Sequence, residues 1–405
     1  MVGTGQGGSA MIVRNPTEGE VERAIEVASI AFPNVTREQW VESFSMIAEV
    51  FGRRFILVVE DEGVIVSTLV CQPRPVYIFG SPVPHASTGA VATVPEARCR
   101  GCAGAMMAEC VRLLRAEEVW LSSLWPFSYA YYRKFGWEIG AETRCYSAPG
   151  KVFSELGDAG KTRPAVEADL AQVKAIYDDW AKGFNCLTQR NDVWWERVIP
   201  IRLLAEPNLI VHETGGRIDG YAAYKTDRES KSVHVQEIVF FDAAHRRDML
   251  AFLGKAEPEG TVSFDAPLDD LFLQEMPNPR LANATLSSSF QFRVTDPPRA
   301  MEALGVDETV SGRVSFAISD PVFEEGWRFG IEVDYGAVTL TKPDPKRTLE
   351  MDVTTFARLY SGYLTAFDAW ELGKLEVGGG ALDALLTACD VFSPLTPYRS
   401  ALEPG

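Results

Sequence analysis

No stretch of this 405-residue chain approaches the roughly 20 consecutive apolar residues that a membrane span needs, which excludes a membrane-crossing helix and a membrane partner. The N-terminus, MVGTGQGGSA, lacks the basic segment followed by an apolar one that marks a secretory signal, so a cytoplasmic location is expected. Positive charge is scarce: 39 Lys and Arg stand against 56 Asp and Glu, a net charge of -17. That balance argues against a nucleic-acid partner. It would draw cationic small molecules if the acids line a cleft, or only keep the protein soluble. Histidine is rarer still, and the four present, His85, His212, His234 and His245, do not cluster in sequence. Seven cysteines, an odd number without a secretory signal, point to reduced thiols. Cys99-x-x-Cys102 has no second pair at metal spacing, so neither a metal site nor a redox site is expected.

What is present is a chain too long for one ordinary core, which implies two to three domains. Its most informative stretch runs from Ser87 to Trp137. Ala90 to Val94 reads as a strand closed by Pro95, and a tight loop follows, Arg98-Cys99-Arg100-Gly101-Cys102-Ala103-Gly104. Ala103, Met106, Met107, Cys110, Leu113 and Leu114 then recur at helical spacing, with Glu109, Arg112 and Arg115 on the other face. A loop that opens a helix offers free N–H groups and the positive end of the helix dipole. With two arginines and small residues at 101, 103 and 104 it suits a pyrophosphate, although Arg-x-x-Gly-x-Ala alone also describes an ordinary glycine-punctuated turn. Val119 to Leu124 reads as a second strand, and Ser128 caps a short helix carrying Tyr129, Tyr131 and Tyr132 before Gly136.

Strand, phosphate loop, helix, strand, tyrosine-bearing helix and Phe-Gly-Trp is the order of a GNAT (Gcn5-related) N-acetyltransferase. The segments VATVPEARCRGCAGAMM and YYRKFGWEIG resemble the Eis (enhanced intracellular survival) family. That resemblance implies an α+β, mixed α/β architecture: tandem GNAT acyltransferase domains followed by a sterol-carrier-protein-like α/β domain. It also implies acetyl-coenzyme A as acyl donor, a cationic amine acceptor such as an aminoglycoside or a polyamine, and assembly as a homohexamer, a trimer of dimers.

The rest of the chain is read against that order. Thr17 and Glu20 form a capping box for a helix burying Val21, Ala24, Ile25 and Ala28, and Phe55–Glu60 and Val64–Cys71 form a hairpin. Thr143–Ala148 closes a first unit, residues 1–150. Helix, hairpin, strand and helix recur in residues 151–287, but Asp242-Ala243-Ala244-His245-Arg246-Arg247-Asp248 replaces the phosphate loop, so this copy is read as degenerate. Residues 288–405, opening with a strand at Phe290–Val294, match the sterol-carrier-like unit.

The resemblance assigns Val91, Ala92 and Thr93 to the pantetheine arm and thioester, Arg98, Cys99, Arg100, Gly101, Cys102, Ala103 and Gly104 to the pyrophosphate, and Phe127 and Ser128 to a further pair near the pantetheine. Acetyl transfer to an amine needs a proton donor for the departing thiolate and a base for the amine. The residues alone do not choose among Tyr129, Tyr131 and Tyr132; the family pattern Tyr-x-x-Phe-Gly selects Tyr132 as general acid. No histidine or carboxylate stands out as base, and the family's use of a terminal carboxylate assigns that role to Gly405, in a tail lacking the expected terminal aromatic residue. Two alternative readings are a protein lysine or N-terminal acetyltransferase and a non-catalytic acyl-coenzyme A or lipid-binding protein.

Overall fold

The computed structural model describes residues 11–198, 208–378, 382–392 and 395–403. Strands are numbered along the chain. Two seven-stranded sheets share one plan. The first has the order β1 (Ile12–Arg14), β2 (Ile56–Asp61), β3 (Val64–Pro73), β6 (His85–Thr93), β7 (Leu121–Leu124), β16 (Gln291–Val294), β8 (Glu138–Ile139), with β4 (Val76–Ile78) and β5 (Ser81–Val83) forming a separate hairpin. The second has the order β10 (Thr162–Pro164), β11 (Asn208–Thr214), β12 (Arg217–Asp227), β13 (Ser232–Phe240), β14 (Thr261–Pro267), β9 (Glu142–Pro149), β15 (Asn283–Ser288). Each contains one parallel pair between consecutive strands, β6 with β7 and β13 with β14.

Central strands must be apolar on both faces, and β2 is: Ile56, Leu57, Val58 and Val59 are all buried. The helix Val21–Ala31 turns Ala24, Ile25, Val27 and Ala28 into the same core, and its entry is held by the Glu20 carboxylate, which accepts from Thr17 N at 2.7 Å. The helix Cys102–Ala116 adds Met106, Met107, Cys110, Val111 and Leu114.

Two strands lie in sheets other than those the sequence suggested. Thr143–Ala148, expected to close the first unit, belongs to β9, which pairs with β14 and β15 of the second sheet. Phe290–Val294, expected to open the third, contains β16, which sits between β7 and β8 of the first. Alternating apolar residues say that a strand is covered, not which strand lies beside it. The sheets therefore exchange strands: the chain leaves the first after β8 and returns to it after β15.

The third unit is a five-stranded sheet, β19 (Ala337–Thr341), β18 (Trp327–Asp334), β17 (Gly312–Ser319), β20 (Thr348–Asp352), β21 (Leu375–Val377), carrying the helices Val353–Ser361 and Leu382–Val391. The first of these stops at Ser361, because Gly362 takes φ +80° as a left-handed cap. Its core is continuous with Phe290, Phe292 and Val294 of the exchanged strand.

Candidate active site

The candidate site residues gather where β6 and β7 part. They pair only at His85–Leu121, Ala86–Ser122 and Ser87–Ser123, so beyond Ser87 the β7 side of β6 has no strand partner among the described residues. On its other edge β6 pairs with β3 through a register shift between Thr68 and Val70, opposite Ala90 at φ +51°, a left-handed backbone rare for a residue with a Cβ. Sequence reasoning started this strand five residues late, at Ala90, and missed the bulge. Val91 and Thr93 are half-buried, and Ala92 is buried.

The loop after β6 contains the turn Pro95–Ala97, Cys99 at φ +63° and Gly101 at φ +88°, the residue before the helix Cys102–Ala116. The first N–H groups of that helix have no acceptor within it, which suits an anion. A Cβ built on Gly101 meets nothing within 4 Å, so its dihedral, not crowding by the protein, demands glycine. Gly104 faces Phe135, 3.6 Å from a built Cβ. Arg100 is paired with Asp61 at 2.6 Å, whereas Arg98 donates to Thr93 O at 3.3 Å and meets no carboxylate among the described residues. Cys99 is exposed, Cys102 is buried with its thiol 3.7 Å from Ala97 O, and Ala103 lies in the first helical turn. The cradle fits a pyrophosphate. Its counterpart in the second unit does not: the Asp242 carboxylate caps the helix Ala243–Ala256, accepting from Ala244 N at 2.8 Å, and puts negative charge where phosphate would bind. Valine at 101 would have to bear a backbone strain of about 1–3 kcal/mol. Gly101→Val is expected to raise the KM for acetyl-coenzyme A about tenfold, with kcat changed far less; equal KM values in steady-state kinetics would remove the loop from the binding site.

The short helix Tyr129–Arg133 follows Ser128, whose hydroxyl accepts from Tyr131 N at 3.3 Å. Phe127 is 73% exposed and touches the rings of Tyr131 and Tyr132. Tyr129 donates its hydroxyl to Ser289 O at 3.3 Å. Tyr132 is buried, and its hydroxyl makes no hydrogen bond among the described residues. Burial, with Tyr131 alongside, pushes the Tyr132 phenol far above its ordinary pKa of 10, which keeps it protonated. The exchanged strand holds this helix: Gln291 Nε2 donates to the carbonyls of Tyr129 and Trp137, at 3.3 and 3.2 Å. A Cβ on Gly136, at φ +87°, would lie 2.8 Å from the Arg293 guanidinium, so both dihedral and space require glycine.

Sequence reasoning missed a buried polar group at the fork of β6 and β7. Arg399 Nη1 donates to Ser123 Oγ at 2.9 Å and Nη2 to Ser87 Oγ at 3.1 Å; Arg74 Nη2 donates to the same Ser87 oxygen at 2.5 Å. Burial brings the Arg399 pKa down to about 10, partly offset by Glu403, so it stays charged at neutral pH. The tail carrying Arg399 lies between the units: Tyr398 donates to Asp265 O at 3.2 Å, and Glu403 accepts from the Thr188 and Tyr177 hydroxyls at 2.6 and 3.1 Å. Gly405 lies outside the described residues. The available signal was the His-Ala-Ser-Thr and Leu-Ser-Ser-Leu pattern, polar residues inside otherwise apolar strands.

His85 belongs to this group. Its Nδ1 faces Arg74 O at 3.0 Å and so carries the proton, which leaves Nε2 to accept from the Ser123 hydroxyl at 2.9 Å. Burial lowers its pKa from 6.5 to about 3, which makes it a poor base for an ammonium group. The unfolded chain binds this proton below about pH 6.5 and the folded chain does not. Stability is therefore lost as pH falls from 6.5 toward 3, by at most about 1.4 kcal/mol per pH unit. The slope of Tm between about pH 7 and pH 4 is expected to flatten in His85→Gln; an unchanged slope would mean that His85 already protonates in the folded state.

Comparison with known proteins matches this fold. Residues 12–140 and 186–294 each match an acetyltransferase (GNAT) domain family, and residues 297–400 match a sterol carrier protein domain. Among solved structures, a GCN5-related N-acetyltransferase from Anabaena variabilis superposes with TM-score 0.83 at 18% identity, covering 96% of this chain and 99% of that one. Eis1 from Mycobacterium abscessus superposes with TM-score 0.77 at 19% identity, covering 96% and 99%. The N-acetyltransferase Eis of Mycobacterium tuberculosis and that of Mycobacterium bovis are 26% identical over 340 residues, 79% of this chain and 81% of theirs. The protein is a GNAT acetyltransferase, an enzyme that uses acetyl-coenzyme A as acyl donor. With its second GNAT domain and its sterol-carrier domain, it belongs to the Eis family.

Proposed function

We propose that this enzyme acetylates amines of a cationic acceptor, aminoglycoside or polyamine-like, with Tyr132 as general acid and the terminal carboxylate, at Gly405, as general base. The observation that carries this reading is the buried tail. Its Arg399 is hydrogen-bonded to Ser87 and Ser123, the residues at which β6 and β7 part, which puts the tail as far as Glu403 beside that fork and supports a base drawn from the residues beyond it.

Acetyl-coenzyme A supplies the acetyl group as an activated thioester. The unpaired edge of β6 around Val91, Ala92 and Thr93 can orient the pantetheine arm by backbone hydrogen bonds, beside Phe127 and Ser128. Arg98, Cys99, Arg100, Gly101, Cys102, Ala103 and Gly104 would cradle the pyrophosphate on helix N–H groups. Tyr132 would give its proton to the departing sulfur, and a carboxylate would take one from the amine. Division into units at 150 and 287 is retained for sequence position only, since the strands cross it. The net charge of -17 favours a polycationic acceptor. Hexameric assembly, which the resemblance implies, and a cytoplasmic location are part of this reading. Among the described residues no helix is long and apolar enough to cross a membrane.

The test mixes untagged protein and acetyl-coenzyme A with an aminoglycoside, spermidine and a lysine peptide, following thiol release. Saturable turnover with the polycations is expected. Preference for the peptide would make it a protein acetyltransferase, and donor binding without turnover would favour a binding role. A C-terminal extension is expected to abolish turnover while leaving donor affinity intact, and an active extended enzyme would remove the base from Gly405.

A further inference from the structure

Spacing along the chain gave no sign of a metal site, yet the fold gathers two of the four histidines in the second unit. His212 on β11, Asp219 on β12 and His245 in the first turn of the helix Ala243–Ala256 each offer a donor atom, all within 4.8 Å of one another. The two imidazoles stack with centroids 4.5 Å apart. Asp219 faces both: one oxygen is hydrogen-bonded to His212 Nδ1, and the other is 3.6 Å from His245 Nε2. Asp248, three residues along the helix from His245, meets His212 Nε2 at 3.1 Å. Its other oxygen accepts from Asp158 N at 2.7 Å, and Lys161 Nζ lies 3.8 Å from the oxygen that faces His212.

We propose that His212, Asp219 and His245 bind one divalent transition-metal ion, zinc by their chemistry, with Asp248 as the residue that orients His212. Two imidazoles and a carboxylate form a donor set that zinc accepts readily, and a three-ligand set leaves a position for water. A metal-bound histidine usually gives its other N–H to a carboxylate, and Asp248 already occupies that place on Nε2, which turns Nδ1 toward Asp219. His245 Nδ1 is buried with no hydrogen-bond partner among the described residues, so the protein alone leaves part of the cluster's polar capacity unused. Two carboxylates offset the charge of the ion, and its entry would replace the hydrogen bond between His212 Nδ1 and Asp219. The ion would fasten the β11–β12 hairpin to the helix whose N-terminus lost its phosphate cradle.

Untagged, chelator-stripped protein is titrated with zinc in competition with a chromogenic chelator, and with cobalt as a spectroscopic probe. One equivalent per chain is expected, with visible cobalt bands of low-coordinate type. His245→Gln and Asp219→Asn should each weaken binding by about 10- to 100-fold. Both side chains are 22% exposed, so the variants should fold, as circular dichroism will verify, with either one sufficient for the comparison. Cys99→Ser, removing an exposed thiol, should bind as wild type does. Substoichiometric binding by wild type, or a stoichiometric site that survives both substitutions, would overturn the proposal.

Discussion

Tyr132→Phe is expected to lower kcat by about 100- to 10,000-fold while leaving the KM for acetyl-coenzyme A within about twofold of wild type. Phenylalanine preserves the ring contacts with Phe127 and Tyr131 and deletes only the hydroxyl. That hydroxyl has no hydrogen bond among the described residues, so its removal orphans no known partner and a loss of rate reports its chemistry. Because burial raises its pKa, Tyr132 should contribute no alkaline limb to the pH–rate profile near neutrality. Stopped-flow or steady-state thiol release measures both quantities. A variant with wild-type rate would move the role to Tyr131, since Tyr129 is committed to Ser289.

The second large effect lies in the second unit, where Arg190 and Glu237 are both fully buried and joined by paired hydrogen bonds, one of 3.0 Å. The Tyr221 hydroxyl donates to the same carboxylate at 2.6 Å, and the Tyr177 ring lies 3.7 Å from the guanidinium. Glu403 of the tail is 3.8 Å from Arg190. Glu237→Ala strands a buried cation and is expected to cost about 3–5 kcal/mol, a large part of the 5–15 kcal/mol typical of folded proteins. It should also loosen the tail and lower turnover. Urea denaturation measures the first effect and thiol release the second. Replacing both partners by apolar residues, as in Arg190→Met with Glu237→Leu, should recover part of the stability, because the buried cation is removed with its partner while Glu403 keeps Arg399 at 3.7 Å. Equal destabilisation by the single and double changes would show that packing, not charge, sets the cost.

The sequence was most legible where chemistry is local. The loop from Arg98 to Gly104, the helix after it and the cap at Ser128 are short-range patterns, and they stand where residue spacing puts them. It was least legible where function depends on pairing at a distance. Nothing in Gln291-Phe-Arg-Val says that Gln291 will bridge the carbonyls of Tyr129 and Trp137, because that contact exists only once β16 has entered the first sheet. Arg399 likewise reads as a tail residue until the tail is seen between the units. His85 and Ser123 are ordinary in sequence and become a hydrogen-bonded pair only through the parallel register of β6 and β7.

The strand exchange sets an order on biosynthesis. A nascent chain that has made β7 and β8 still lacks the strand that lies between them, and it must translate the whole second sheet before Gln291–Val294 emerges from the ribosome. Until then the seat of Phe292, fully buried in the finished protein, is an open apolar slot beside the tyrosine helix. The half that carries the proposed acyl-donor loop thus becomes competent only after the second sheet has been synthesised, which ties its activity to a chain translated at least as far as Val294.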